Sequence, residues 1–177
     1  TLTEQILSSH KKVYGAGELP FLTNNILDNF FNDDVLNKQK IIDHQNSLKN
    51  LINDQYIENF SLFNFDEIIF TDKAPLNFKW IGFIKIFFPN SKIVYCKRDP
   101  KDNCLSLYKN NFSSLTMNWS FNQKDISNFY NHHSSLMKFW YSKIPQSIHT
   151  VEYEKIVSDK ENEIKKLLNF CELEWDD

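Results

Sequence analysis

The stretch from Lys92 to Pro100 constrains the fold more than any other part of the chain. Lys92-Ile93-Val94-Tyr95-Cys96 is a short run of β-branched, aromatic and apolar residues, the make-up of a buried strand. Two basic residues, Lys97 and Arg98, follow it. Asp99-Pro100 then marks a helix start, with Asp as the cap and Pro at the first helical position. A strand that runs directly into a helix is the unit from which layered α/β folds are built.

The rest of the chain repeats this alternation. Leu2 to Ser9 reads as a helix, and Val13-Tyr14 as a short strand closed by the turn Gly15-Ala16-Gly17. Glu18 to Phe31 reads as mostly helical, and Val35 to Ile52 as a helix of near 3.6-residue period. Glu67 to Thr71 is a predicted strand and Asp72 to Pro75 a loop. Asn77 is the predicted cap of a helix running to Phe88, stopped by Pro89-Asn90. Phe112 to Lys124 is irregular and aromatic. A long helix is predicted over Ile126 to Ile144, with Phe129, Tyr130, His133, Met137 and Trp140 on its inner face. A strand over Ile148 to Glu152 and a helix over Glu161 to Cys171 close the chain. This order predicts an α/β fold with a mostly parallel central sheet.

Composition removes several classes of function. The 177 residues predict one domain, at about 150 residues per domain. Pro 5 and Gly 3 are too few for a collagen-like or low-complexity chain. The three glycines, at 15, 17 and 82, form neither of the Gly-rich phosphate loops Gly-x-Gly-x-x-Gly and Gly-x-x-x-x-Gly-Lys. A net charge of -3 gives no bulk attraction to nucleic acid or to an anionic membrane. The longest apolar stretch, Ile81 to Phe88, is broken by Lys85 and is too short to span a bilayer. Cys96, Cys104 and Cys171 are odd in number and show no Cys-x-x-Cys, which argues against a disulfide framework or a zinc site. His10, His132, His133 and His149 have no metal-ligand spacing. The chain begins at Thr1 rather than Met and reads as an excerpt.

Ligands of open parallel sheets gather at the carboxyl ends of the strands. Four segments fall there: Gly15-Ala16-Gly17-Glu18, Asp72-Lys73-Ala74-Pro75, Lys97-Arg98-Asp99-Pro100 and Tyr153-Glu154. At Lys97-Arg98 two readings are open. Free N–H groups at the helix start, with an arginine fork beside them, suit a phosphate. Alternatively, Arg98 pairs with Asp99 or another carboxylate. Lys73 is either a functional cation or a solvated loop lysine, the commoner case. Glu18 is either a general base or a carboxylate near a helix start. Trp119-Ser120-Phe121 either lines a pocket or packs on the core.

Several stretches occur in the order known from one family. They are Thr1-Leu2-Thr3-Glu4-Gln5-Ile6-Leu7-Ser8-Ser9-His10, Gly15-Ala16-Gly17-Glu18-Leu19, Asp72-Lys73-Ala74-Pro75-Leu76-Asn77-Phe78 and Phe88-Pro89-Asn90-Ser91-Lys92. Arg98-Asp99-Pro100, Cys104-Leu105-Ser106-Leu107-Tyr108, Val151-Glu152-Tyr153-Glu154 and Phe170-Cys171-Glu172-Leu173-Glu174-Trp175 follow. With them the chain resembles sulfotransferases that use 3′-phosphoadenosine-5′-phosphosulfate (PAPS). It is closest in kind to bacterial sulfotransferases that often carry tetratricopeptide repeats upstream and are related to tyrosylprotein sulfotransferases. Lys11 departs from the proline that relatives often carry after His10.

The resemblance implies a P-loop-like three-layer α/β/α fold with a mostly parallel central sheet. It implies a single sulfotransferase domain over residues 1–177, incomplete at the N-terminal phosphosulfate loop and at the C-terminus. Thr1 matches the end of that loop. Arg98 and Ser106 match the residues that hold the 3′-phosphate, and Tyr153 one near the cofactor. Glu18 matches a catalytic base and Lys73 the residue that stabilises the transferring sulfuryl group. No metal is required. The implied acceptor bears a hydroxyl or phenol, on a peptide, a sugar or a small molecule. A cytoplasmic setting is expected, or the Golgi lumen for a eukaryotic secretory-pathway enzyme. A P-loop kinase and a non-catalytic nucleotide-binding module are the competing readings. The residues preceding Thr1 discriminate the kinase, and the presence of both Glu18 and Lys73 weighs against the module.

Overall fold

The computed structural model describes residues 2–33, 35–43, 58, 69–113 and 115–175. The chain divides into two compact units, Thr1–Ser91 and Lys92–Asp177.

In the first unit α1 (Leu2–Ser8) leads through a turn into β1 (Val13–Gly15). Buried His10 holds that turn: its Nδ1 accepts the Lys12 N–H at 3.1 Å, and its carbonyl accepts the Val13 N–H at 2.9 Å. α2 (Phe21–Phe30) follows, then β2 (Phe31–Asn32), β3 (Val35–Leu36) and α3 (Lys38–Asp43). After β4 (Ile69–Thr71) come a 3-10 turn (Asn77–Trp80) and α4 (Ile81–Phe87). β1 and β4 pair in parallel, with Val13 opposite Ile69 and Gly15 opposite Thr71.

The core of this unit is Leu19, Leu22, Ile26, Phe30 and Phe87. Phe83 adds to it, with its ring 5.1 Å from Phe30 and 5.8 Å from Phe87. Each such side chain, fully buried, contributes about 1.5–3 kcal/mol. Trp80 reaches the edge of the cluster and satisfies its indole by donating to Thr23 Oγ1 at 3.0 Å.

Three expectations need correction here. Val35-Leu36 is not helical: it pairs antiparallel with Phe31-Asn32, and helix begins only at Lys38. Asp33 adopts φ 46, the left-handed geometry of a tight hairpin turn. Asn37 Oδ1 then accepts the Lys40 N–H at 3.1 Å, which caps the new helix. Residues 44–52 of the expected helix, and Glu67-Ile68 of the expected strand, lie outside the described residues. Glu18 precedes its helix rather than opening it, because α2 starts at Phe21 after Pro20. Asn77 caps nothing: it sits inside the 3-10 turn and donates to Asp72 Oδ1 at 3.2 Å.

The second unit contains β5 (Ile93–Lys97), α5 (Pro100–Lys109), a 3-10 stretch (Leu115–Phe121) and α6 (Gln123–Lys143). A single 3-10 turn (Pro145–Ser147) leads to β6 (Ile148–Glu152), α7 (Tyr153–Ser158) and α8 (Lys160–Phe170). β5 and β6 pair in parallel along all five residues, from Ile93 opposite Ile148 to Lys97 opposite Glu152. Tyr95 and Thr150 share a rung, and the Tyr141 hydroxyl on α6 hydrogen-bonds that of Thr150. The Tyr95 ring also lies 5.5 Å from His133. Burial pushes the Tyr95 hydroxyl up to about 12 and pushes the His133 imidazole down. His149 stacks on Phe170 at 5.1 Å, so these histidines serve packing.

The architecture is mixed α/β with small parallel sheets. Among the described residues the expected central sheet is present as separate two-stranded parallel pairs, β1 with β4 and β5 with β6. β1 and β4 are three residues each, so their ladder is short. The helix α7 was not expected: at six residues it is shorter than any window in which periodicity shows. No helix among the described residues is long and apolar enough to cross a membrane.

Candidate functional site

The first candidate region is at the carboxyl ends of β1 and β4. Backbone pairing continues past both strands: the Ala16 N–H donates to the Thr71 carbonyl at 3.1 Å and the Lys73 N–H to the Gly17 carbonyl at 2.8 Å. Gly17 takes φ 72, a left-handed conformation that favours glycine. Glu4 on α1 braces the turn, with Oε1 accepting from the Gly17 N–H at 2.9 Å and from Thr71 Oγ1 at 3.3 Å. The helix can lie this close because Gly15 has no side chain: a Cβ there would come within 2.9 Å of Ser8 Cβ.

This frame brings Glu18 and Lys73 together. Lys73 Nζ donates to Glu18 Oε1 at 2.6 Å, with the two side chains 25% and 59% exposed. A pair so open to solvent adds only about 0–1 kcal/mol to stability. The contact is therefore a poor reason for the loops to be shaped as they are. It is also easily opened.

The second candidate region is at the carboxyl ends of β5 and β6. Asp99 caps α5 as expected, its Oδ1 accepting the Lys101 N–H at 2.9 Å and the Asp102 N–H at 3.1 Å. The Asp99 N–H itself goes to Glu154 Oε1 at 2.8 Å. Pro100 has no N–H, and the Asn103 N–H is used by the Asp99 carbonyl at 2.9 Å. Every N–H from Asp99 to Asn103 is thus satisfied by the chain itself. This corrects the expectation of free N–H groups at the helix start: carboxylates already fill that place.

What remains for an anion is the side chain of Arg98. Its guanidinium lies 5.4 Å from the centre of the Tyr153 ring. Among the described residues it makes no ion pair within 4.0 Å, and its charge acts on the nearby Glu154 carboxyl. An open depression of about 240 Å³ lies here, lined by Lys97, Arg98, Asp99, Pro100, Glu152 and Glu154. The Asp99 N–H holds the exposed Glu154 carboxyl below the usual glutamate range.

Ser106 sits in the second turn of α5, where its hydroxyl meets Asn110 Nδ2 at 3.5 Å. Six residues beyond Pro100, it is about 9 Å along the helix axis. Tyr153 opens α7 and is exposed. Thr1 lies outside the described residues. Trp119 stacks on Phe129 of α6 at 3.8 Å and 5°, and Ser120 is fully buried, so two of the three residues pack on the core. Among the described residues no group of three or more His, Cys, Asp or Glu could hold a metal ion.

The profile of the sulfotransferase family matches residues 1–177. The chain belongs to the sulfotransferase family. It is also 32% identical over 185 residues to an uncharacterized protein of Aquifex aeolicus (strain VF5). That match takes in all of this chain and 24% of the relative, so the chain spans about a quarter of the relative's length. The contacts made by Glu4 and Glu154 escaped the sequence reading. Both stand inside quoted motifs, Thr3-Glu4-Gln5 and Tyr153-Glu154. Their partners, the Gly17 N–H and the Thr71 hydroxyl for Glu4 and the Asp99 N–H for Glu154, lie in other segments, which no local pattern marks.

Proposed function

We propose that the protein carrying this chain transfers the sulfuryl group of PAPS to a hydroxyl or phenol. Family membership supports the donor. The observation that carries the chemistry is the contact of a carboxylate with an ammonium at the strand ends, Glu18 with Lys73. PAPS supplies an activated sulfuryl group on a phosphate leaving group. The exposed Arg98 guanidinium, on an aromatic ring and outside any ion pair among the described residues, fits a phosphate of such a molecule. The satisfied start of α5 does not.

In this reading Glu18 accepts the proton of the acceptor hydroxyl, help worth about 100- to 10,000-fold. Lys73 balances negative charge at the reacting end, for which one donor typically counts for roughly 3–4 kcal/mol. The two side chains satisfy each other, so their ion pair must open for Glu18 to take a proton. Arg98 and Ser106 hold the 3′-phosphate, Arg98 by two-point charged hydrogen bonds and Ser106 by its hydroxyl. Tyr153 lines the nucleotide site, and Thr1 ends the phosphosulfate loop. The whole protein then has the P-loop-like three-layer fold, is of the bacterial type related to tyrosylprotein sulfotransferases, and takes a peptide, sugar or small-molecule acceptor.

The test is transfer of labelled sulfate by the full-length protein from PAPS to a panel of phenols, sugars and tyrosine peptides. Labelled product formed by the wild type, and lost in Glu18→Gln, supports the reading. Transfer of phosphate from ATP in its place, or no transfer to any acceptor class, contradicts it.

A further inference from the structure

The ladder between β5 and β6 does not end with its last backbone pair. Lys97 stands opposite Glu152, and their side chains meet at 3.9 Å. One residue on, the Arg98 guanidinium lies over the Tyr153 ring at 5.4 Å. One residue further, the Asp99 N–H donates to Glu154 Oε1 at 2.8 Å. Lys97-Arg98-Asp99 thus faces Glu152-Tyr153-Glu154 rung by rung, and each rung has its own chemistry.

The outer rung is the tightest. It is anchored on one side by the α5 cap, since the Asp99 carboxylate holds the Lys101 and Asp102 N–H groups. On the other it is anchored by the first turn of α7, which carries Glu154. Arg98 is the middle rung, between two cross-links. A guanidinium on a flexible stem keeps its place over a ring only while the two backbones stay in register.

We infer that Glu154 is a positioning residue: by gripping the Asp99 N–H it locks the β5–α5 loop to the first turn of α7 and keeps Arg98 on Tyr153, ready for a phosphate. This rests on the assignment of Arg98 to the 3′-phosphate. Charge alone predicts the opposite sign. A bare carboxylate beside a phosphate site repels the ligand, so its removal should tighten binding. The two accounts therefore separate cleanly.

The experiment compares adenosine 3′,5′-bisphosphate with 5′-AMP by calorimetric titration of the full-length protein. The two ligands differ in the 3′-phosphate, so the ratio of their affinities isolates the Arg98 end. Glu154→Ala should lower that ratio about tenfold, the scale of one displaced charge-assisted hydrogen bond, with AMP binding little changed. Glu154 is exposed, so truncation opens no cavity. Glu154→Gln retains an oxygen for the Asp99 N–H and should keep the ratio within about threefold of wild type. An unchanged or increased ratio in Glu154→Ala overturns the inference, as does an equal loss for both ligands. A wild type with no preference for the bisphosphate overturns the proposed function, and this inference with it.

Discussion

The two strand-end regions use the same backbone device for different ends. Both are parallel pairs whose connection continues beyond the last strand residue. At β1 and β4 the continuation is backbone to backbone, through Ala16 to Thr71 and Lys73 to Gly17. The side chains are left over, and Glu18 and Lys73 turn to each other. At β5 and β6 carboxylate side chains make the link: Glu152 meets Lys97 at the last strand pair, and beyond it Glu154 accepts the Asp99 backbone N–H. That leaves Arg98 on a ring instead of on a carboxylate. Where backbone does the tying, a carboxylate and an ammonium are left to each other, and in the proposed function the carboxylate takes the proton. Where carboxylates do the tying, a cation is available for binding. The comparison predicts that damage to the first region lowers turnover and damage to the second lowers affinity.

The largest effect should come from the first region. Glu18→Gln should lower turnover by about 100- to 10,000-fold, with donor affinity little changed, in single-turnover assays with labelled PAPS. Lys73→Ala should cost roughly 3–4 kcal/mol of barrier by the same assay. The two losses should not add in the double variant, because the side chains touch. Arg98→Ala should do the reverse. It should weaken donor binding by about 10- to 100-fold, the scale of a charged hydrogen bond, at nearly wild-type saturated turnover. Equal effects of Glu18→Gln and Arg98→Ala on both constants would erase the contrast.

Stability distinguishes the regions more gently. Gly15→Ala should destabilise the first unit by about 1–3 kcal/mol in chemical denaturation, since its Cβ meets Ser8 and α1 must move off β1. In the second unit burial among Tyr95 and Tyr130 lowers the His133 imidazole below its unfolded value. The unfolded chain then binds more protons just below about pH 6.5, so stability should rise with pH through that range. It should be lost on acidification until His133 protonates in the folded state too. His133→Phe should reduce this slope and leave the part due to His149, which burial also lowers, read from denaturation midpoints on either side of about pH 6.5.

How much of this was readable from the chain depends on the range of the interactions. β5 and the start of α5 were, because the apolar run and the Asp99-Pro100 signal lie within nine residues of each other. β6 was also readable. The ribbon of Phe31-Asn32 with Val35-Leu36 was not, since two residues per strand show no alternation and Val35 joins an apparent helical period. The four segments at the strand ends were found by placement alone. Their pairings were not, because Glu18 reaches Lys73 and Glu154 reaches Asp99 across 55 residues each. The expected free N–H groups at α5 failed only in part for that reason: Glu154 takes the Asp99 N–H, while the legible Asp99 cap itself takes those of Lys101 and Asp102. A cap can be read locally, but a carboxylate arriving from a helix 55 residues away cannot.

The central claim is that Arg98 serves a doubly phosphorylated adenosine and not a triphosphate. Calorimetric titration of the full-length protein with adenosine 3′,5′-bisphosphate and, separately, with magnesium ATP tests it most directly. Strong binding of the bisphosphate, weakened in Arg98→Ala, with little or no heat from ATP, is the predicted result. Preference for ATP, or bisphosphate binding that Arg98→Ala leaves intact, would contradict it.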